Sequence, residues 1–309
     1  MNDKKINIIV SIYNEEKNIP ILFSEIKEQM KGYIYEVLFV NDGSKDNSLD
    51  ELLTLKQTNK EVNIIDFSRN FGHEAAMIAG IDESNADINI CMDADMQHPP
   101  NVLPQIIEKA IEGYNIVTLK REDRKDHNFF NKLLSRFFYF LFNIISPIKL
   151  EPNASDFFMV DKKVANILKR DYRERNRFLR GFVQILGFKK TSISYVAPKR
   201  IHGESNYSIR GLFKLSIQAI IAFSKRPLYL GVYLGVVFSV LSIFVAVYSI
   251  IMKIIGETPP GYTTLVVVVS SLFAIQFFLI GIIGLYLGFM FEEQKKRPLY
   301  IIDRIYKYE

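Results

Sequence analysis

The sequence predicts an α/β domain built on a parallel sheet, followed by two apolar helices that cross a membrane. Three features of the 309-residue chain lead to this fold class. Short apolar runs alternate with segments of helical periodicity in the N-terminal part. Polar motifs recur where the apolar runs end. Two long runs near the C-terminus, Leu228 to Met252 and Gly261 to Phe291, contain no Asp, Glu, Lys, Arg or His.

Several apolar runs are interpreted as strands, because each is short, has no helical period and ends at polar or glycine-containing residues. They are Ile6 to Ile12, Tyr35 to Val40, Val62 to Phe67, Ile88 to Met92 and Ile116 to Leu119. The segments between them have apolar residues at helical spacing, in Asn18 to Met30, Ser48 to Gln57, His73 to Asp82 and Asn101 to Glu112. This alternation predicts a parallel sheet covered by helices on both faces.

Polar motifs directly follow four of the predicted strands. They are Tyr13-Asn14-Glu15, Asn41-Asp42-Gly43-Ser44, Ser68-Arg69-Asn70 and Asp93-Ala94-Asp95. Because ligands of parallel sheets bind at the carboxyl ends of the strands, we expect these motifs to gather on one rim. Each motif alone is also typical of a turn or a helix cap. Together they favour a site for a base, a ribose and a diphosphate.

Asp93 and Asp95 are the candidate metal ligands that the residues themselves indicate. Two carboxylates one residue apart, after an apolar run, can point toward one divalent cation, and oxygen ligands suit Mg²⁺ or Mn²⁺. Such a cation commonly bridges carboxylates to substrate phosphates, so a nucleotide diphosphate is the first substrate to consider. The tripeptide alone also fits a solvated turn. The sequence contains no glycine-rich dinucleotide motif or P-loop, so those chemistries lack support.

The two uncharged runs exceed the roughly 20 residues that a helix needs to cross a bilayer. Basic residues flank both runs, at Lys225-Arg226 and at Lys295-Lys296-Arg297, and the positive-inside rule therefore places both flanks in the cytoplasm. A buried core helix is the alternative for one such run. The predicted organisation is a cytoplasmic domain over 1–207, a juxtamembrane amphipathic helix over 208–227, spans over 228–252 and 261–291, and a cytoplasmic tail over 292–309.

Composition narrows the compartment and the partners. The polar start, Met1 to Lys5, predicts no signal peptide. Cys91 is the only cysteine, which excludes an internal disulfide and fits a reducing compartment. The net charge of +5 is modest and clusters near the predicted spans. It favours contact with membrane lipid and does not indicate a nucleic-acid partner.

Longer strings around the four motifs resemble glycosyltransferase family 2. They are Val10-Ser11-Ile12-Tyr13-Asn14-Glu15-Glu16, Asn41-Asp42-Gly43-Ser44, Phe67-Ser68-Arg69-Asn70-Phe71-Gly72 and Asp93-Ala94-Asp95-Met96-Gln97-His98-Pro99-Pro100. The similarity extends over nearly the whole chain and is greatest to the polyprenyl-phosphate glycosyltransferases. It implies a Rossmann-like GT-A domain with interfacial helices and two transmembrane helices. It also implies inverting transfer of a hexose from a nucleotide diphosphate sugar to a polyprenyl phosphate.

The resemblance also implies a donor site and a metal site. Residues assigned to the nucleotide sugar, from the family motifs and from the predicted rim, are Tyr13, Asn14, Glu15, Asp42, Arg69 and Asp93. Asp93, Asp95 and Gln97 would hold the Mg²⁺ or Mn²⁺ ion. Proline is usual in the family where this chain has Ser11, a difference that removes no ligand.

The acceptor should bind in the segment from Lys120 to Ile145. Lys132, Ser135 and Arg136 share one helical face by their spacing, and apolar residues cover much of the remainder. Such a helix can lie in the membrane interface with its cations toward phosphate, although a core helix with snorkelling cations fits the same pattern. The resemblance favours phosphate binding by Arg121 and Arg136, with Lys132 and Ser135 as helpers.

Asp95, Asp156 and Arg200 are the candidate catalytic residues. Asp156 resembles a family aspartate suggested as a base, but a phosphate monoester is already largely ionised at neutral pH. An orienting role for Asp156 therefore stays open. Arg200 would neutralise the departing diphosphate. His73 and His98 are interpreted as hydrogen-bonded scaffold.

The expected reaction uses UDP-glucose first, or UDP-N-acetylglucosamine, with undecaprenyl phosphate as the acceptor. One alternative is a processive polysaccharide synthase, although the chain contains no Trp for the Gln-x-x-Arg-Trp motif of those enzymes. The others are a non-catalytic membrane scaffold and a nucleotide-sugar hydrolase. The long second span is compatible with a homo-oligomer. The sequence leaves open which sugar is transferred and which pathway uses the product.

Overall fold

The computed structural model describes residues 4–122, 154–175, 177–198, 226–255 and 261–307. These residues form two compact units. A globular unit comprises the described residues up to 198 together with 297–307. An apolar helical unit comprises 226–255 and 261–296.

The strands of the globular unit are β1 (Ile6–Ile12), β2 (Tyr35–Asn41), β3 (Val62–Phe67), β4 (Ile88–Asp93), β5 (Ile116–Arg121), β6 (Ala154–Asp161), β7 (Lys190–Tyr195) and β8 (Ile302–Tyr306). Its α-helices are α1 (Ile19–Gln29), α2 (Ser48–Thr58), α3 (His73–Glu83), α4 (Leu103–Ile111), α5 (Lys162–Asp171) and α6 (Leu179–Ile185). A 3₁₀ turn covers Pro100–Val102. The helical unit contains α7 (Arg226–Ile255) and α8 (Tyr262–Gln294). The strands expected from the sequence in the first 121 residues are all present.

The strands form one mixed sheet in the order β7-β5-β6-β4-β1-β2-β3-β8. β1 runs parallel to β2 and β4, and β2 runs parallel to β3. β6 is antiparallel to both β4 and β5, and β8 is antiparallel to β3. The five strands expected from the sequence, β1 to β5, therefore all run in the same direction, and the two antiparallel strands were not expected from it. The chain leaves β5 and enters β6 at the same end of the sheet, where Lys120 pairs with Ala154, so β6 has to run the opposite way.

The core forms because the central strands are apolar on both faces. Every residue of β1 is buried, which explains why five of its seven residues are Ile or Val and why they do not alternate with exposed polar residues. On one face Ile8 and Val10 pack in a cluster with α1 and α4. On the other face α3 approaches so closely that a side chain at Gly80 would meet Ile9. Helices thus cover both faces of the sheet, as the sequence predicts.

The C-terminal strand β8 was missed in the sequence, where 292–309 is predicted as a tail. Ile64 pairs with Tyr306, and Phe67 pairs with Ile302, so the end of the chain forms an edge of the sheet. The strand is short and only partly buried, with Asp303 and Arg304 exposed. Its apolar pattern is therefore weak, and only the free edge of β3 supplies its hydrogen-bonding partner.

The apolar helices α7 and α8 contain 30 and 33 residues. Within the described part of the chain, one segment, Ser271–Gln294, is long and apolar enough to cross a membrane, with a mean hydropathy of 2.2. Its side chains include exposed Phe277 and Leu287. The expected pair of spans stays a prediction. Most of the predicted juxtamembrane helix, 208–225, lies outside the described residues.

Candidate active site

The loops after β1 and β2 are held together at the carboxyl rim of the sheet. The backbone N–H of Asn14 donates to Ser44 Oγ at 3.0 Å, and Asn14 Oδ1 accepts from the Lys45 N–H at 2.8 Å. The N–H of Glu15 donates to Ser48 Oγ at 2.9 Å. Asn14 and Glu15 are thus fixed by their own loop contacts. Their predicted contact with a nucleotide sugar remains a prediction.

Two other residues assigned to the nucleotide lie exposed on the same rim. The Tyr13 side chain is 41% exposed, so its ring is accessible to a planar ligand. The Arg69 guanidinium lies 4.0 Å from the centre of the Phe71 ring, and its Nη1 donates to the Asn70 carbonyl. Tyr13 and Arg69 are therefore positioned where a base and a phosphate group could reach them.

Asp42 connects three loops and is only 1% exposed. Its Oδ1 accepts from the Phe71 N–H at 2.6 Å and its Oδ2 from the Gly72 N–H at 2.9 Å. Its own N–H donates to the Ile12 carbonyl. Burial raises the pKa of this carboxyl, and the two backbone amides partly offset that effect. The geometry gives Asp42 a structural role, and its expected nucleoside contact is not tested by this arrangement.

Gly43 is needed for the close approach of the second and third loops. Its φ of 63° lies in the left-handed region. A Cβ at this position would lie 2.6 Å from the backbone nitrogen of Asn70, closer than atoms can pack. Because the obstacle is backbone, it cannot rotate away. Glycine at this point of the motif is thus explained by contact between loops.

Two histidines hold Asp93, the last residue of β4. His98 is buried, and its Nδ1 accepts from the Asp93 backbone N–H at 2.8 Å, which places its ring proton on Nε2. Its ring also stacks on Phe157 with a 5.0 Å separation of centres. His98 is thus buried and hydrogen-bonded, and its predicted scaffold role remains a prediction. His73 Nδ1 lies 3.2 Å from Asp93 Oδ1, so His73 contacts a predicted metal ligand.

Asp95, Gln97 and Arg121 form a second group beside Asp93. The Gln97 N–H donates to Asp95 Oδ1 at 3.0 Å, which fixes the turn after β4. Gln97 Oε1 accepts from Arg121 Nη1 at 3.1 Å. The predicted phosphate-binding residue Arg121 therefore adjoins the predicted metal loop. In this arrangement the Gln97 oxygen faces a guanidinium, and its predicted metal contact remains a prediction.

Asp156 lies on β6, near Asp93 on the adjacent strand. Cys91 pairs with Phe158, and continuing this antiparallel register brings Asp156 opposite Asp93. Asp156 Oδ1 lies 3.6 Å from Arg180 Nε, and Oδ2 lies 3.9 Å from His73 Nε2. Burial alone would raise the pKa of Asp156, but Arg180 and His73 outweigh it and hold the pKa below its usual value. The Arg180 guanidinium and the His73 imidazole thus both favour the ionised form of Asp156.

His73 lies between the carboxylates of Asp93 and Asp156. Burial alone would lower its pKa, but the two carboxylates outweigh burial and raise it. In the neighbouring Glu74, burial itself raises the pKa. Together with the charge of Asp156 it raises the pKa of Glu74 to about 7. Three carboxyl groups, those of Asp93, Asp156 and Glu74, thus lie close to the His73 imidazole and the Arg180 guanidinium.

The residues present fit a divalent cation of the hard-oxygen type. Asp93 Oδ1 is buried and has no hydrogen-bond partner among the described residues. In the same part of the chain, no group of three His, Cys, Asp or Glu side chains is arranged to hold a metal. Mg²⁺ is often bound by one or two carboxylates together with substrate phosphates. Asp93 and Asp95 would supply such a pair.

Some predicted site residues lie outside the described residues: Lys132, Ser135, Arg136 and Arg200. Other residues near the centre were not assigned a role in the reaction from the sequence, namely His73, Glu74, Arg180 and Tyr195. Arg180 belongs to an arginine-rich segment, 173–180, which was the only sequence signal available for it. Tyr195 is buried, and this burial is the main cause that raises the pKa of its hydroxyl.

The mixed sheet, its loop-lined rim and the acidic pair after β4 define a GT-A-like transferase. The family model described as Glycosyl transferase family 2 matches residues 7–168. The chain is 38% identical over 309 residues to the uncharacterized glycosyltransferase YkcC of Bacillus subtilis (strain 168), covering 98% of this chain and 94% of that protein. The chain belongs to glycosyl transferase family 2, and it is a glycosyltransferase.

Two further similarities extend this result. The chain is 36% identical over 306 residues to the prophage bactoprenol glucosyl transferase homolog of Escherichia coli (strain K12), covering 98% of this chain and 100% of that one. Its fold is similar to glucosyl-3-phosphoglycerate synthase from Mycobacterium tuberculosis in complex with Mg²⁺ and uridine diphosphate, with a TM-score of 0.50 and 17% identity. That likeness covers 71% of this chain and 78% of the other, and it concerns the fold alone.

We predict that Gly43→Ala lowers the free energy of unfolding by about 3 kcal/mol, through backbone strain and overpacking against the next loop. The matched control is Gly113→Ala, because Gly113 also has a positive φ, 85°, but no atom lies within 4 Å of an added Cβ. The control should lose only about 1 kcal/mol. Unfolding of the full chain in detergent, followed by circular dichroism, measures both. Equal losses would contradict the close contact between the loops.

We also predict that Glu74→Gln removes a pH dependence of stability. The pKa of Glu74 is raised to about 7, so the folded state favours its neutral form, and stability falls as the pH rises through that value. Relative to wild type, the variant should gain on the order of 3 kcal/mol between about pH 5 and pH 8. Thermal unfolding across this range tests it, with exposed Glu28→Gln as the control. Parallel curves for all three proteins would refute it.

Proposed function

We propose that the protein transfers a hexose from a UDP-sugar to a polyprenyl phosphate at the cytoplasmic face of the cell membrane, with inversion at the anomeric carbon. The sugar is glucose first and N-acetylglucosamine second. The observation that carries the proposal is the convergence of four loops on one rim, where Gln97 hydrogen-bonds to both the Asp95 carboxylate and the Arg121 guanidinium. Gln97 thus links a carboxylate proposed for the metal to a cation proposed for the acceptor phosphate.

The relatives support both substrates. The Escherichia coli relative, similar over 98% of this chain, is named a bactoprenol glucosyl transferase homolog, which supports a polyprenyl acceptor and a glucosyl donor. The full-length match also argues against a processive synthase. The structure with Mg²⁺ and uridine diphosphate shares the fold and is compatible with a uridine nucleotide at this rim.

The proposed reaction needs little acid–base chemistry. An ionised phosphate oxygen of the acceptor attacks the anomeric carbon, a new carbon–oxygen bond forms, and the bond to the UDP β-phosphate breaks. A divalent cation held by Asp93 and Asp95 would stabilise the charge on the departing diphosphate. Arg121 would orient the acceptor phosphate, and Arg200 would add positive charge near the leaving group.

We assign Asp156 an orienting role. A general base works best when its pKa lies near the working pH, whereas Arg180 and His73 hold the pKa of Asp156 below its usual value. An ionised Asp156 instead fixes the directions of the Arg180 guanidinium and the His73 ring. The acceptor phosphate is already largely ionised, so no proton has to be removed from it.

The chain topology supports a membrane hairpin. β8 follows α8 in the chain and pairs with β3, so the chain returns to the sheet from which it left. The number of membrane crossings between β7 and β8 is therefore even. We therefore propose that α7 and α8 both cross, and the positive-inside rule then favours a cytoplasmic location for both termini.

The donor and the acceptor can be tested together. Membranes containing the full chain are incubated with labelled UDP-glucose, UDP-N-acetylglucosamine or GDP-mannose, with and without undecaprenyl phosphate. We expect a lipid-extractable, β-linked product from a UDP-sugar only when the acceptor is present. Release of free sugar in both cases would indicate a hydrolase. An α-linked product would refute inversion.

We predict that Asp93→Asn and Asp95→Asn each lower kcat/KM by at least about 100-fold, because each removes negative charge from the metal site. Both variants should also bind Mn²⁺ more weakly in the presence of UDP, which electron paramagnetic resonance of the free ion measures without turnover. Asp171→Asn, at an exposed aspartate at the end of α5, is the control. Undiminished activity in both site variants would end the proposal for the metal.

We predict that Arg180→Ala makes turnover more sensitive to acid. Without the guanidinium, burial raises the pKa of Asp156, so its carboxylate becomes protonated at a higher pH and no longer orients His73. The ratio of variant to wild-type kcat should therefore fall by about tenfold as the pH is lowered from about 8 to 6. Arg180→Lys retains the charge and should show a smaller fall. A constant ratio for Arg180→Ala would contradict the orienting role.

A further inference from the structure

The segment that follows the apolar helices packs beside the donor rim. We call residues 300–306 the C-terminal edge segment. The Tyr300 ring stacks on Phe67 with 5.2 Å between ring centres and 10° between planes. Its hydroxyl donates to Asp82 Oδ2 at 2.6 Å, and Arg173 Nη1 lies 2.8 Å from both oxygens of the same carboxylate. Tyr300 is thus fixed at its ring and at its hydroxyl.

A continuous series of contacts leads from Tyr300 to the donor rim. Phe67, the last residue of β3, meets the Phe71 ring edge-on at 5.7 Å. Phe71 lies beneath the Arg69 guanidinium, and its N–H donates to the buried Asp42. Alongside this aromatic series, the N–H of Ser68 donates to the Ile301 carbonyl at 3.1 Å. The C-terminal edge segment therefore supports the loop from Ser68 to Gly72 in two ways, through the aromatic series and through the hydrogen bond between Ser68 and Ile301.

We propose that Tyr300 is a positioning residue for the nucleotide-sugar site, acting through Phe67 and Phe71 on Arg69. This inference rests on the proposed function in one respect, that the Ser68–Gly72 loop contacts the donor. The physical reason is conformational entropy. A loop that is already ordered loses less freedom when the ligand binds, so supporting it increases affinity without a direct contact. The last strand of the chain thereby becomes part of the donor site.

β8 lies at the edge of the sheet, and the two ends of this strand differ in their contact with the loop. β3 would be an edge strand without β8, with unpaired backbone groups next to the loop. Tyr306 also belongs to β8, but it pairs with Ile64 and packs on the core, at the opposite end of the strand from Phe67. Loss of the Tyr306 ring therefore weakens the same strand and leaves the aromatic series to the loop intact. Tyr306→Ala is the matched control for Tyr300→Ala.

The first measurement requires no substrate. Hydrogen exchange of the full chain in detergent reports on the N–H groups of Phe71 and Gly72, both bonded to Asp42. We expect exchange at these amides to accelerate by about tenfold in Tyr300→Ala and to stay within about twofold in Tyr306→Ala. Unchanged exchange in Tyr300→Ala would overturn the inference, whatever the enzyme's substrates are.

The second measurement separates positioning from general stability. In Tyr300→Ala the KM for the UDP-sugar should rise by about tenfold, while kcat and the KM for undecaprenyl phosphate stay within about twofold. Tyr300→Phe keeps the stacked ring and loses only the bond to Asp82, so it should restore most of the donor affinity. Tyr306→Ala should leave both KM values unchanged.

The outcomes are distinguishable. A uniform loss of kcat in both alanine variants, with an unchanged donor KM, would mean that the segment serves only stability and would overturn the positioning role. If the wild-type chain transfers no sugar from any UDP donor, the proposed function fails. The exchange result then still decides whether Tyr300 orders the loop.

Discussion

The buried carboxylate of Asp42 is the interaction on which the rim depends. Its backbone N–H donates to the carbonyl at the end of β1, and its two carboxylate oxygens accept from the amides of Phe71 and Gly72, just before α3. One residue thus connects three successive loops. Burial of a carboxylate is costly unless its oxygens are hydrogen-bonded, so Phe71 and Gly72 have to remain in place. The approach of Gly43 to the Arg69–Asn70 backbone closes the same junction.

The charges beyond that junction are grouped around one histidine. Asp93 and Asp156 extend from adjacent strands toward one imidazole, that of His73. Asp93 Oδ1 has no hydrogen-bond partner among the described residues, although the His73 ring lies 3.2 Å away, and burial is the first cause that raises the pKa of Glu74. A divalent cation bound to Asp93 would add positive charge beside these carboxyl groups.

The C-terminal strand β8 belongs to the globular unit, although it follows the apolar helices in the sequence. The apolar helices form an insertion between β7 and β8 of one sheet and are not a terminal appendage. β8 follows α8 in the chain and pairs with β3, which leads into the loop from Ser68 to Gly72. This connectivity is a direct result of an antiparallel pairing at a sheet edge.

The sequence by itself determined the central strands, because β1 to β4 are largely buried on both faces and are therefore mostly apolar. β1 and β3 begin and end where the apolar runs do, and the polar motifs fall at the rim for the same reason. Only the tertiary structure decided the reversed direction of β6, the edge position of β8, and the location of His73 and Arg180 beside Asp156. Those features depend on pairings between residues far apart in the chain, which no local periodicity encodes.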